Sequence, residues 1–125
     1  MGPNPDTVVA FLQDHIKFID DGDSLVPNLT VIGTPGHTPG HISLKIDAGN
    51  QQLYLIADLL HSEAQFLEDE WSVAFDIDPT VARKSREDMY PKLADPNVLV
   101  ADGHFSTSSF GQLTNEGGKW VWNNV

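Results

Sequence analysis

The strongest constraint on the fold is a run of strict alternation at Ile42-Ser43-Leu44-Lys45-Ile46-Asp47. A period of two puts apolar side chains on one side of an extended segment and polar ones on the other. The run therefore reads as a strand with one buried and one wet face. Asp47-Ala48-Gly49-Asn50 supplies turn chemistry, and Leu53-Tyr54-Leu55-Ile56-Ala57 follows as a more buried strand. The two are predicted to pair as an antiparallel hairpin. Residues 29–32 read as a further strand, broken by Gly33-Thr34-Pro35-Gly36, and residues 98–101 as a short apolar central strand. Asp20-Asp21-Gly22-Asp23 reads as a turn, as does Asn115-Glu116-Gly117-Gly118 between two last strands, the second holding Trp120, Val121 and Trp122.

Two helices are expected. Pro3 and Pro5 keep the extreme N-terminus extended, and Asp6 is a candidate N-cap for a short helix with Val8, Val9, Phe11 and Leu12 as its apolar face. Asp78-Pro79 starts a second helix, with the acid at N-cap and proline at the first helical position. Val81, Ser85 and Met89 fall on one face; Arg83, Lys84 and Arg86 lie off it and are expected to face solvent, and Pro91 limits or kinks the end. Residues 58–78 carry seven acids and no Lys or Arg, together with Phe66, Trp71 and Phe75, so they read as a loop with aromatic anchors. The chain is strand-rich, α+β or α/β.

Composition excludes several functions. Lys and Arg number 7 against 18 Asp and Glu, a formal net charge of −11 over 125 residues, which disfavours nucleic acid and anionic membranes as partners. There are no cysteines, which removes disulfide scaffolds, Cys-zinc sites and thiol nucleophiles. No apolar run reaches the roughly 20 residues of a membrane span, and the N-terminus lacks the basic and apolar regions of a secretory signal, so a soluble, cytoplasmic domain is expected. GxSxG, P-loop and GxGxxG patterns are all absent.

The five histidines are His15, His37, His41, His61 and His104. His37 follows the 29–32 strand in a Gly/Pro-rich turn, Asp58 directly follows the 53–57 strand, and His104 follows the 98–101 strand across Asp102-Gly103. Three potential ligands thus sit just past the C-terminal ends of three predicted strands, where open sheets place functional loops. Imidazole plus carboxylate suits zinc, iron or manganese. His37 and His41 have the HxxxH spacing, but the spacer Thr38-Pro39-Gly40 cannot be helix interior, so the helical zinc-protease arrangement is rejected. One of the two is expected to bind metal and the other to pack at the strand start. Asp76 and Asp78 form an acid pair, with helix capping the simpler role for Asp78. Ser106-Thr107-Ser108-Ser109 reads as a loop rather than a nucleophile.

At Thr34-Pro35-Gly36-His37-Thr38-Pro39-Gly40-His41 the sequence closely resembles the metallo-β-lactamase superfamily. Ile56-Ala57-Asp58 resembles the motif carrying its metal-bridging aspartate, and Asp102-Gly103-His104 its final motif. The segment from Asp58-Leu59-Leu60-His61 through Trp71-Ser72-Val73-Ala74-Phe75-Asp76-Ile77-Asp78-Pro79 is similar to the lactonase and organophosphate-hydrolase-like branch. The superfamily's first motif, His-x-His-x-Asp-His, is absent, and no H-x-H occurs in the chain.

The resemblance implies an α+β fold: residues 1–125 as a single partial domain, the C-terminal half of an αββα sandwich, with a mixed sheet and helices on one face. It implies His37 on the first metal, His104 on the second and Asp58 bridging, with zinc the first choice, iron or manganese the alternatives, and two ions in the complete fold. The implied activity is metal-assisted hydrolysis of a lactone, ester or phosphotriester-like small molecule. Asp58 and His61 are the expected catalytic positions, the 63–76 loop walls the pocket, and His61 or Phe105 contacts substrate. Lacking the first motif, the chain is expected to bind metal weakly and to be inactive alone. The missing N-terminal half or a second protomer would complete it; a non-catalytic interaction half-domain is the alternative. A half-sandwich is also expected to expose an apolar sheet face and so to form oligomers.

Overall fold

The computed structural model describes residues 4–125, so the expectation for Pro3 lies outside it. Seven strands form one mixed sheet in sequential order: β1 (Ser24–Val26), β2 (Leu29–Gly33), β3 (Ile42–Ala48), β4 (Gln51–Leu55), β5 (Val98–Ala101), β6 (Phe110–Glu116) and β7 (Lys119–Asn124). The β3–β4 hairpin sets Leu44 opposite Leu55 and Ile46 opposite Leu53. Only β4 and β5 pair in parallel. A parallel pair needs a crossover; here it runs through helix α2 (Pro79–Leu93), capped by Asp78, whose side chain accepts from the Thr80 and Val81 amides. The α+β class and the mixed sheet agree with the sequence reading, and the short strand β1 is an addition to it.

The sheet has two unlike faces. One carries Ser43, Tyr54, Val98, Val100 and Leu113, all buried, and packs with Met89, Tyr90 and Leu93 of α2 and the rings of Phe66 and Phe105. The other carries Val31, which is fully buried, and Leu29, Leu44, Ile46, Leu53, Leu55 and Leu99, an aliphatic row that stays half-buried. The alternation of β3 therefore runs opposite to expectation. Polar Ser43, at 0% exposure, is the side chain turned into the core, where Thr34 and the Ile56 carbonyl satisfy its hydroxyl. The aliphatic row lies on the less covered side.

Several local expectations are corrected. Asn4, rather than Asp6, caps the first helical stretch, its side chain accepting from the Asp6 and Thr7 amides. That stretch, Pro5–Val9 running into α1 (Ala10–Leu12) and Gln13–His15, buries no residue; Phe11 is 80% exposed, so its apolar face docks on nothing. In α2 the buried face is Ala82, Ser85, Arg86, Met89, Tyr90 and Leu93, so Val81 is exposed and Arg86, read as solvent-facing, is buried. The helix continues through Pro91 to Leu93. In the 58–78 loop only Phe66 is an anchor; Trp71 and Phe75 are exposed.

Candidate metal centre

The turn after β2 is fitted to the start of α2. Gly36 has φ +132°, and a β-carbon on it would lie 2.1 Å from the Ala82 backbone nitrogen, so only glycine lets the turn approach this closely. Around it Asp78 N–H donates to the Gly36 carbonyl, Ile77 N–H to the His37 carbonyl, and Ser85 Oγ to the Pro35 carbonyl at 2.7 Å. His37, next in the chain, sets Nδ1 3.1 Å from Asp76 Oδ1. His41 is consumed locally: Nδ1 donates to the Thr34 carbonyl at 2.8 Å and Nε2 accepts from the Asp58 amide at 3.1 Å. Of the HxxxH pair, only His37 keeps a nitrogen, Nε2, for a ligand.

Asp58 follows β4 across Ala57, a non-glycine residue held at φ +48°. Such left-handed backbone is unfavourable for alanine and is tolerated where surrounding structure imposes it, commonly at functional turns. His61 is fixed through its backbone, whose N–H donates to Gln65 Oε1 at 2.7 Å, and its Nε2 lies 3.6 Å from Asp58 Oδ1. Past β5, Asp102 Oδ1 accepts from the amides of His104 and Phe105, a tight turn that presents His104 Nε2 2.8 Å from Asp58 Oδ1. The His61 ring stacks on His104 at 4.6 Å and lies 5.0 Å from His37. His37, Asp58 and His61 present donor atoms all within 4.8 Å of one another. The fold thus gathers His37, Asp58, His61 and His104 at the edge where β2, β4 and β5 end.

The electrostatics suit a cation. The hydrogen bond from His104, aided by the neighbouring imidazoles, holds the Asp58 carboxyl below its usual range. Burial, reinforced by His104 and His37, pushes the His61 imidazole down. An ionised carboxylate and a neutral imidazole are the forms that bind a divalent metal. Behind the cluster lies a buried polar layer. Asp76 has a side chain 2% exposed, and Arg86 Nη1 lies 4.0 Å from its Oδ2, while Asp76 Oδ2 and Arg86 Nε make no hydrogen bond. Arg86 Nη2 donates to the carbonyls of Asp69 and Trp71. The donor types and their spacing fit a borderline divalent ion.

Arg86 and Gln65 carry no signal of a site role in the sequence, where Asp76 reads only as one of an acid pair. Phe105, offered as a substrate contact, is a core residue packed edge-on against Trp122 at 4.9 Å and is 7% exposed. The 63–76 loop is held by polar groups: Gln65 Nε2 donates to the Trp71 carbonyl and Tyr90 Oη to the Gln65 carbonyl.

No family model matches the chain, and no curated protein matches it by sequence. Solved structures do. AidC, a dizinc quorum-quenching lactonase solved with the product N-hexnoyl-L-homoserine, aligns over 94% of this chain at 28% identity and TM-score 0.83. The hydrolase AbOPH of the beta lactamase superfamily aligns over 94% at 28% identity and TM-score 0.77. The chain has the fold of the metallo-β-lactamase superfamily, over part of its length. An N-acyl homoserine lactone hydrolase with product bound at its catalytic metal centre matches at 30% identity over 72% of this chain, TM-score 0.61. The chain spans only about 40% of the length of the structures it matches, 40% for AidC and 41% for AbOPH. That extent, with the order of its motifs, fits the C-terminal half of the fold.

Proposed function

We propose that this chain is the C-terminal half of a metal-dependent hydrolase acting on a lactone, ester or phosphotriester-like small molecule. The observation that carries the reading is the convergence of His37, Asp58 and His104, from three separate strand ends, on one cluster around the Asp58 carboxylate. The lactonase names of the similar structures support the substrate class. His37, Asp58 and His104 would hold the metal, with zinc the first choice and iron or manganese the alternatives. When bound, a divalent metal lowers the pKa of a water and polarises a carbonyl or phosphoryl oxygen. The chain's own contribution is to orient His37 through Asp76, and to place His61 beside the carboxylate.

A catalytic zinc takes three protein ligands, and the assigned set divides three among two ions. The reading therefore requires a second half carrying H-x-H-x-D-H, from the same reading frame or another protomer, packed on the half-buried aliphatic row of the sheet. The test is lactone and phosphotriester hydrolysis by the chain alone and after co-expression with such a half. Negligible turnover alone and restored turnover together are expected. Ordinary enzymatic rates from the chain alone would overturn the incompleteness argument. No gain from an associated second half would favour the other reading, a non-catalytic interaction half-domain, which the apolar face also fits.

A further inference from the structure

We infer that this chain by itself builds a one-metal site in which His61 replaces the ligands it lacks: His37, Asp58 and His61 bind a single zinc-class ion. The inference rests on the metal-centre reading above but not on the hydrolase reading. It differs from the two-metal assignment in making His61 a ligand and in leaving His104 outside the set.

The three groups offer one donor atom each, mutually within 4.8 Å. Ligand atoms on a tetrahedral ion with bonds of about 2.1 Å lie roughly 3.4 Å apart, so small side-chain rotations close the triangle. The two imidazoles are the most sheltered of the cluster, with side chains 20% exposed for His37 and 17% for His61, against 42% for His104. Each is also prepositioned. Asp76 occupies His37 Nδ1 and leaves Nε2 as its donor, while Gln65 fixes the backbone of His61. His41 is excluded because both its nitrogens are engaged. His104 stacks on the outer side of this set and bonds Asp58 alone. Three protein ligands with an open fourth position are the composition of a reactive rather than a closed zinc site.

The experiment is calorimetric zinc titration of the full chain at pH 7.5, paralleled by visible spectra of the cobalt(II)-loaded protein, with circular dichroism to verify folding of each variant. One ion per chain is expected, with a four-coordinate cobalt spectrum. His37→Ala, Asp58→Ala and His61→Ala should abolish that binding, His61→Gln should behave as His61→Ala, and His104→Ala should keep one-ion binding. Unchanged binding by His61→Ala alongside losses in His37→Ala and His104→Ala would overturn the inference and leave the two-metal reading standing. Two ions per chain, or no zinc uptake by the unmodified chain, would overturn it as well.

Discussion

Asp76 acts one bond away from the ligand cluster. A histidine ligand is oriented by the partner of its other ring nitrogen, and loss of that partner usually weakens metal binding by about 10–100-fold. Asp76→Asn keeps the shape but loses the negative charge at His37 Nδ1, so zinc affinity should fall about tenfold, measured by titration. Nitrogen chemical shifts of the metal-free protein should show His37 losing its single tautomer. Asp102 makes a different prediction. Burial raises its carboxyl to about 6, although Oδ1 accepts two amides. Because the folded value lies above the unfolded one, the folded state holds the extra proton between about pH 4 and pH 6. Stability should therefore fall as pH rises through that window, by at most about 2–3 kcal/mol. Asp102→Asn retains the acceptor oxygen, so it should flatten this part of the profile and stabilise the protein at pH 7 in urea unfolding.

At the scale of elements, α2 is the part that sets the site. Its first turn receives Gly36, its Ser85 holds the Pro35 carbonyl, and its Arg86 reaches into the loop that carries Asp76. Gly36→Ala should cost roughly 3 kcal/mol or more, since backbone must move and the +132° φ disfavours a side chain. Arg86→Ala should cost about 3–5 kcal/mol by stranding a buried carboxylate, whereas the exposed Arg83→Ala should cost under about 1 kcal/mol; thermal or urea melts separate the two. This element also marks where the sequence could be read and where it could not. Asp78-Pro79 is a local capping signal and locates the helix start. Strand ends after alternating or apolar runs locate His37, Asp58 and His104. Arg86 defeats the same logic, because a charged residue between Lys84 and Glu87 reads as solvated unless the carboxylate it meets, ten residues earlier in an irregular loop, is known. His61 and Asp76 likewise lie in a segment without periodicity, so only tertiary packing brings them to the cluster. Ser43 can be buried in β3 because its hydroxyl finds partners in Thr34 and Ile56 that no pattern announces.

For the whole molecule, the half-buried aliphatic row is the face through which association is expected. Apolar rows of this kind mark interfaces or cause association. Sedimentation at rising concentration should show self-association, and Leu53→Lys should reduce it without loss of secondary structure. A strictly monomeric unmodified chain at high concentration would count against the face being an interface.

The single parallel junction of the sheet has a consequence for how the molecule reaches this state. The β2–β3–β4 meander and the β6–β7 hairpin join neighbours in sequence, but β4 meets β5 only after the chain has travelled from Leu55 to Val98. Contacts of long sequence separation close late and slowly, because chain entropy is lost before they stabilise anything. Asp58 is thus placed at the end of a locally paired meander, whereas His37 also needs the docking of α2 and the Asp76 loop, and His104 needs that of β5. Mutations in β5 such as Val100→Ala should slow folding most, and amide exchange at the β4–β5 seam should report the assembly of the site itself.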